Sequence, residues 1–94
     1  MPASSESITL TGDLHARPAG AFAVAAGRFA AAVSVTSFSS TGGEKTADAK
    51  SVLGVMGLGA TSGQRVTVTA DGPDAADAVA ALIAILGEAT RVGG

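Results

Sequence analysis

The stretch HARPAGAFAVAAGRFAAAVSVTSF, residues 15–38, changes its hydrophobic period midway and so decides the class of fold. Its first half repeats apolar residues at the spacing of one helix face: Ala19, Phe22, Ala26 and Phe29. Pro18 fits only the first turn of a helix, because it has no amide hydrogen and its φ is already helical. The second half alternates, with Val33 and Val35 on one side of a strand. The stretch therefore predicts a helix that begins at about residue 15 or 16, followed by a strand.

Further elements lie on both sides of this helix–strand pair. Alternation typical of strands recurs at residues 7–11 and 64–70, and more weakly at 44–49. Residues 51–60 contain three glycines, which limits the helix there to two turns. Ser51 is the candidate N-cap of that short helix.

A last helix follows the turn DGPD at residues 71–74, and its apolar stripe comprises Ala75, Val79, Leu82 and Leu86. The predicted order of elements is β-α-β-β-α-β-α. Four amphipathic strands and the apolar stripes of the helices require two layers. We therefore expect an α+β fold in which three helices cover one face of a mainly antiparallel four-stranded sheet.

Length and composition favour a single small domain spanning residues 1–94. Hydrophobic residues make up 47% of the chain, mostly alanine and valine, and there are three phenylalanines but no tryptophan or tyrosine. The core should therefore be thin, with Phe22, Phe29, Leu82 and Leu86 as its bulkiest members. Because the chain has no cysteine, disulfides and thiolate metal sites are excluded.

Charge and hydropathy argue against two classes of partner. The formal net charge is −2 and the six basic residues are scattered, whereas a nucleic-acid-binding domain normally shows a basic stripe or stacking aromatics. The N-terminal MPASSES lacks the basic and apolar regions of a signal peptide. The apolar run over residues 19–33 is interrupted by Arg28 and is shorter than the roughly 20 residues that cross a bilayer. We expect a cytoplasmic monomer that binds neither nucleic acid nor membrane.

His15, the only histidine of the chain, stands at the predicted start of the first helix. The first amides of a helix have no intrahelical partners, and the helix dipole adds positive charge, so this position favours an anion and a neutral imidazole. The guanidinium of Arg17 matches the oxygens of a phosphate. Pro18 begins the helix without removing a needed donor, and the small Ala16 and Gly20 leave the surface open to a partner. These residues predict phosphoryl transfer through a phosphohistidine; the alternative is a solvated or capping histidine.

No cofactor or metal site is predicted. The glycines do not follow a strand at the spacing of a dinucleotide-binding fingerprint, and His15 has no evident orienting base for a catalytic triad. Asp71, Asp74 and Asp77 form an acidic group that we expect to cap the last helix rather than bind a cation.

The strings LHARPA, FAVAAGRF and KSVLGVMGLGA occur here in the order in which a known family carries them. From Ile8 to Leu86 the chain resembles HPr, the histidine-containing phosphocarrier of the bacterial phosphoenolpyruvate-dependent sugar phosphotransferase system. The resemblance implies an open-faced β-sandwich with sheet order 1-4-2-3. It also implies that enzyme I phosphorylates His15, that Arg17 pairs with the phosphate, and that IIA domains of sugar permeases accept the phosphoryl group. Such a protein is a phosphocarrier rather than an enzyme.

The resemblance assigns two further groups of residues. Ser51 takes the place of the regulatory serine that an HPr kinase/phosphorylase modifies in some members. The second helix is implied to lie beside His15 and to form the docking surface, whose predicted residues are Gly20, Leu53, Met56 and Gly57. From the pattern alone, the last three residues are equally compatible with a place in the core.

Three departures from the family pattern concern the turn, a loop and the first helix. Asp13 stands where glycine is usual, and residues 37–43 form a longer loop than usual. Val24 and Gly27 stand where many members carry lysine. The long loop and the missing lysines leave open a carrier for a dedicated non-sugar branch. A separate alternative is a regulatory binding module that acts through Ser51 and the second helix, although relatives of that kind typically lack the histidine that this chain keeps.

Overall fold

The computed structural model describes residues 3–12, 14, 16–38, 43–61 and 63–89. Its strands and helices follow the predicted order β-α-β-β-α-β-α. Their bounds are β1 Ala3–Thr9, α1 Ala16–Ala26, β2 Ala32–Phe38, β3 Glu44–Asp48, α2 Val52–Gly57, β4 Arg65–Asp71 and α3 Ala75–Ala89. The second helix has six residues, which agrees with the limit that its glycines set.

The four strands form one sheet in the order β1-β4-β2-β3, and every pairing is antiparallel. This is the order that the family resemblance implied. β1 pairs with β4 along its whole length, beginning with Ala3 opposite Asp71. Because this pairing sets the bounds of β1, the strand starts before the predicted Ser7 and ends before Leu10.

The two faces of the sheet differ in polarity. The inner face presents buried valines from the central strands β2 and β4: Val33, Val35, Val66 and Val68. The outer face carries hydroxyls that bond across strands. The oxygens of Ser7 and Thr67 are 2.7 Å apart, and those of Thr36 and Thr46 are 2.9 Å apart. A solvated outer face and an inner face covered by helices are what the alternating pattern predicted.

The core lies between the inner face and the helices. Phe22, Leu82 and Leu86 are fully buried, as predicted. Phe29 is only partly buried and packs against the edge of the core. The prediction for Phe29 is wrong because α1 ends at Ala26, so Phe29 no longer shares the helix face on which its spacing had placed it.

The aspartates near α3 differ from the prediction that all three cap this helix. Asp71 is the last residue of β4. Asp74 precedes α3, but its two carboxylate oxygens accept hydrogen bonds from the amides of Ala30 and Ala31, each at 2.8 Å. Asp77 alone lies in the first turn of α3. Asp74 therefore connects the start of α3 to the loop between α1 and β2.

Some predictions concern residues outside the described part of the chain: Asp13, His15 and residues 39–42 of the predicted loop 37–43. At the near end of that loop, Ser37 and Phe38 still belong to β2, and Ser37 is buried. Strand β2 therefore extends further than the polar composition indicated. Among the described residues, no helix is long and apolar enough to cross a membrane.

Candidate functional site

The chain on both sides of His15 is described, although His15 itself lies outside the described residues. Leu14 is buried, and its amide donates to the carbonyl of Ala60 at 2.9 Å. Helix α1 begins at Ala16. In the sequence, His15 is thus the one residue between Leu14, whose amide is hydrogen-bonded to Ala60, and the N-terminus of α1.

The first turn of α1 holds the second predicted site residue. Arg17 is exposed there, while Pro18 is buried under the same turn. The sequence of this turn contains no acidic side chain that would offset the positive end of the helix dipole. A helix N-terminus beside an exposed guanidinium is an arrangement that can bind phosphoryl oxygens.

Ser51 caps α2, as its position predicted. It has extended backbone angles, with φ −103° and ψ 114°, and its side chain Oγ accepts a hydrogen bond from the amide of Gly54 at 3.0 Å. This bond satisfies one of the amides that a helix start leaves unpaired. Ser51 is half-buried, and so is the hydrogen bond to its Oγ.

Apolar side chains are exposed on the outer sides of α1 and α2. Among the described residues, the exposed large hydrophobic side chains are Val24, Val52, Leu53 and Met56. Leu53 is 81% exposed, whereas Val55 of the same helix is fully buried. Gly57 is exposed as well. The structure therefore places Leu53, Met56 and Gly57 at the surface and not in the core, while their contact with a partner stays a prediction.

Gly20 lies within α1, one turn beyond Arg17. It is half-buried, and a Cβ added to it would have no heavy atom within 4 Å apart from its chain neighbours and the backbone of its own helix. Open space above a helical glycine allows a partner to approach the backbone closely.

The segment of residues 60–64, which holds the chain ahead of His15, was not among the predicted site residues. Besides the bond from Leu14 to Ala60, the amide of Leu10 donates to the carbonyl of Gln64 at 2.9 Å. The glycine at position 63 marks a turn in the sequence, but only the fold shows which segment that turn contacts.

The described part of the chain contains no group of three or more histidine, cysteine, aspartate or glutamate side chains that would hold a metal ion.

The similarity of this chain to known proteins identifies its family. Residues 4–88 match the family model described as the PTS HPr component phosphorylation site. The phosphocarrier protein HPr of Vibrio cholerae is 40% identical over 79 residues, which cover 84% of this chain and 87% of that protein. The chain belongs to the HPr family.

Solved HPr structures agree with this assignment. The crystal structure of a phosphocarrier protein HPr from Bacillus anthracis superimposes with a TM-score of 0.76 at 33% identity, covering 92% of this chain and 99% of the other. An HPr dimer from Thermoanaerobacter tengcongensis gives a TM-score of 0.63 at 36% identity, with 77% of each chain covered. This member of the HPr family is a phosphocarrier of the phosphotransferase system and not an enzyme.

Proposed function

We propose that His15 is the phosphoacceptor of this carrier, that phosphorylated enzyme I is its donor and that IIA domains of sugar permeases are its acceptors. The observation that carries the proposal is the start of α1 at Ala16, with exposed Arg17 in its first turn. A phosphoryl group on the residue just before this helix would meet unpaired amides and a permanent positive charge. The guanidinium of Arg17 assists transfer by stabilising the charge of the phosphate.

The proposed partner surface consists of Gly20, Leu53, Met56 and Gly57. Its support is the exposure of Leu53 and Met56 on α2, together with the open space above Gly20 on the adjoining helix α1. Exposed apolar side chains that occur close together are typical of protein-binding surfaces. The chain is proposed to work as one cytoplasmic, monomeric domain over residues 1–94.

Ser51 is proposed as a second, regulatory phosphorylation site. Its hydroxyl lies at the N-terminus of α2 and next to exposed Val52 and Leu53. A phosphate there would sit at the favourable end of the helix dipole, so the fold would tolerate it. The added charge would instead oppose the docking of a partner on the apolar surface.

The test is incubation with phosphoenolpyruvate and enzyme I, followed by intact-mass measurement before and after mild acid. We expect the wild-type chain to gain one acid-labile phosphoryl group and His15→Ala to gain none. Arg17→Ala should slow acceptance by about one to two orders of magnitude, because a charge-assisted hydrogen bond contributes about 1.5–3 kcal/mol. Arg28→Ala, which removes an exposed arginine beyond the end of α1, is the matched control and should transfer normally.

Acid-labile phosphate on the His15→Ala variant would exclude His15 as the acceptor. Acid-stable phosphate alone would point to a hydroxyl such as that of Ser51. Equal slowing of the Arg17 and Arg28 variants would reduce the role of Arg17 to a general effect of charge.

A further inference from the structure

The backbone that leads into His15 is held by the turn that directly precedes β4, beside the end of β1. The amide and the carbonyl of Leu10 are both bonded to this turn: the amide donates to the carbonyl of Gln64 at 2.9 Å, and the carbonyl accepts from the amide of Gly63 at 2.8 Å. Leu14 donates to the carbonyl of Ala60 at 2.9 Å. Three hydrogen bonds to one segment therefore fix the chain at both ends of the stretch that precedes His15.

Gln64 stabilises that segment through two hydrogen bonds to Thr61. The amide of Gln64 donates to the carbonyl of Thr61 at 3.1 Å, and its side-chain Oε1 accepts from the amide of Thr61 at 3.0 Å. Gln64 thus bonds both the backbone amide and the backbone carbonyl of Thr61. Gly63 between them has φ +89°, a conformation that glycine adopts without strain.

The anchored residues have little freedom to move independently of this turn. Leu10 is 2% exposed and Leu14 is 6% exposed, so both side chains are packed in the core. Thr61, by contrast, is exposed, and the bond to Gln64 Oε1 is near the surface. The side chain of Gln64 is half-buried and therefore reaches an exposed turn whose bonding partners, Leu10 and Leu14, are buried.

We infer that Gln64 is a positioning residue for phosphoryl transfer at His15. Its side-chain oxygen orders the turn at Thr61, the turn holds the backbone of Leu10 and Leu14, and Leu14 is bonded covalently to His15. Gln64 acts through this chain of contacts and touches no reacting atom. The inference rests on the proposed function, because it assumes that His15 accepts the phosphoryl group.

Two variants of Gln64 distinguish the effect of its side-chain hydrogen bond on transfer from the effect of its side-chain size. Gln64→Met keeps the length of the side chain but has no carbonyl oxygen, and Gln64→Glu keeps an oxygen acceptor within reach of the Thr61 amide. Single-turnover phosphoryl transfer from enzyme I would be measured over a range of donor concentrations. We expect Gln64→Met to lower the limiting rate about twofold to tenfold, the range that corresponds to one hydrogen bond. The donor concentration at half-maximal rate should stay unchanged, because the proposed docking residues are untouched.

Gln64→Glu should restore transfer to within about twofold of the wild-type rate, by retaining the acceptor. Asp48→Ala is the matched control. Asp48 Oδ1 accepts from the backbone amide of Lys50 at 2.9 Å, also at an exposed position but in a different turn. This variant loses a hydrogen bond of the same kind and should transfer at the wild-type rate.

The outcomes distinguish this inference from the proposed function. If the wild-type chain takes no phosphoryl group on His15, the proposed function fails. If the wild type transfers normally and Gln64→Met does so at the same limiting rate, the positioning role alone is overturned. Equal slowing of Gln64→Met and Asp48→Ala, or no rescue by Gln64→Glu, would likewise overturn it.

Discussion

Asp74 shows how one side chain joins segments that are far apart in the sequence. Its carboxylate accepts hydrogen bonds from the amides of Ala30 and Ala31. In the same loop, the carbonyl of Phe29 accepts a hydrogen bond from the Nζ of Lys50 at 3.0 Å. The loop between α1 and β2 is thus bonded to the start of α3 and to the residue before Ser51. A β-carbon at Gly72 would lie 2.7 Å from Cα of Ala31, so the loop and the turn before Asp74 are also in close contact.

These contacts predict a pH dependence of stability. The hydrogen bond from the Ala30 amide lowers the pKa of the Asp74 carboxyl, with help from the Ala31 amide and the charge of Lys50 and against the effect of desolvation. Because folding favours the ionised form, this contribution is complete above the unfolded pKa of about 3.9 and disappears as the pH falls through the lower folded pKa.

We expect Asp74→Asn to melt at a lower temperature than the wild type at neutral pH, because its side chain replaces one of the two acceptor oxygens by an NH2 donor group. The variant should also lose part of the decline in stability that the wild type shows below about pH 4. Thermal melts from pH 7 to pH 2 check this, with Asp77→Asn in the first turn of α3 as the control. Equal melting curves for the two variants would contradict the assigned role of Asp74.

At the scale of the element, α1 is rich in alanine, the strongest helix former, but contains one glycine. Gly20 lies inside the helix, where glycine costs about 0.5–1 kcal/mol relative to alanine. The position has open space for a methyl group. Stability alone would therefore favour alanine here, which is consistent with the proposal that a partner approaches Gly20 closely.

Gly20→Ala should raise the free energy of unfolding by about 0.5–1 kcal/mol and slow phosphoryl transfer. The control is Gly87→Ala in α3, where the added carbon would lie 3.5 Å from Cδ1 of Ile8, an ordinary contact. Urea denaturation and transfer assays should show a gain in stability for both variants but slower transfer only for Gly20→Ala. Normal transfer by the Gly20 variant would remove this residue from the partner surface.

At the scale of the whole molecule, the core depends on few large side chains. The largest fully buried side chains are Phe22, Leu82 and Leu86 among the described residues, and the remainder of the core is mainly valine and alanine. A domain of this size is stable by about 5–15 kcal/mol in total. One large side chain therefore accounts for a substantial share of the stability.

Phe22→Ala should lower the free energy of unfolding by about 3–5 kcal/mol, because it opens a cavity at the centre of the core. Phe29→Ala should cost clearly less, since Phe29 is only partly buried at the edge. Urea denaturation of the two variants under the same conditions measures the difference. Similar losses would show that Phe29 belongs to the core, as its spacing alone had suggested.

The sequence by itself determined the order of the elements and the place of the candidate site. The change from helical to alternating period within residues 15–38, the cap at Ser51 and the stripe of α3 are local patterns, and each is set by residues a few positions apart. Pro18 restricts the chain to a helix start beside His15 without help from any distant residue. The family follows from the same strings of residues.

Only the tertiary structure decided the contacts between distant segments. The amides of Ala30 and Ala31 donate to the carboxylate of Asp74, more than 40 positions away, and no periodicity encodes these bonds. The same is true of the segment around Gln64, which is bonded to Leu10. The strand bounds of β1 and the partial exposure of Phe29 also depend on which segments pack together. Local periodicity specifies which face of an element is apolar. Which other element packs against that face, and which group bonds each backbone amide or carbonyl outside the helices and strands, is decided only when the whole chain has folded.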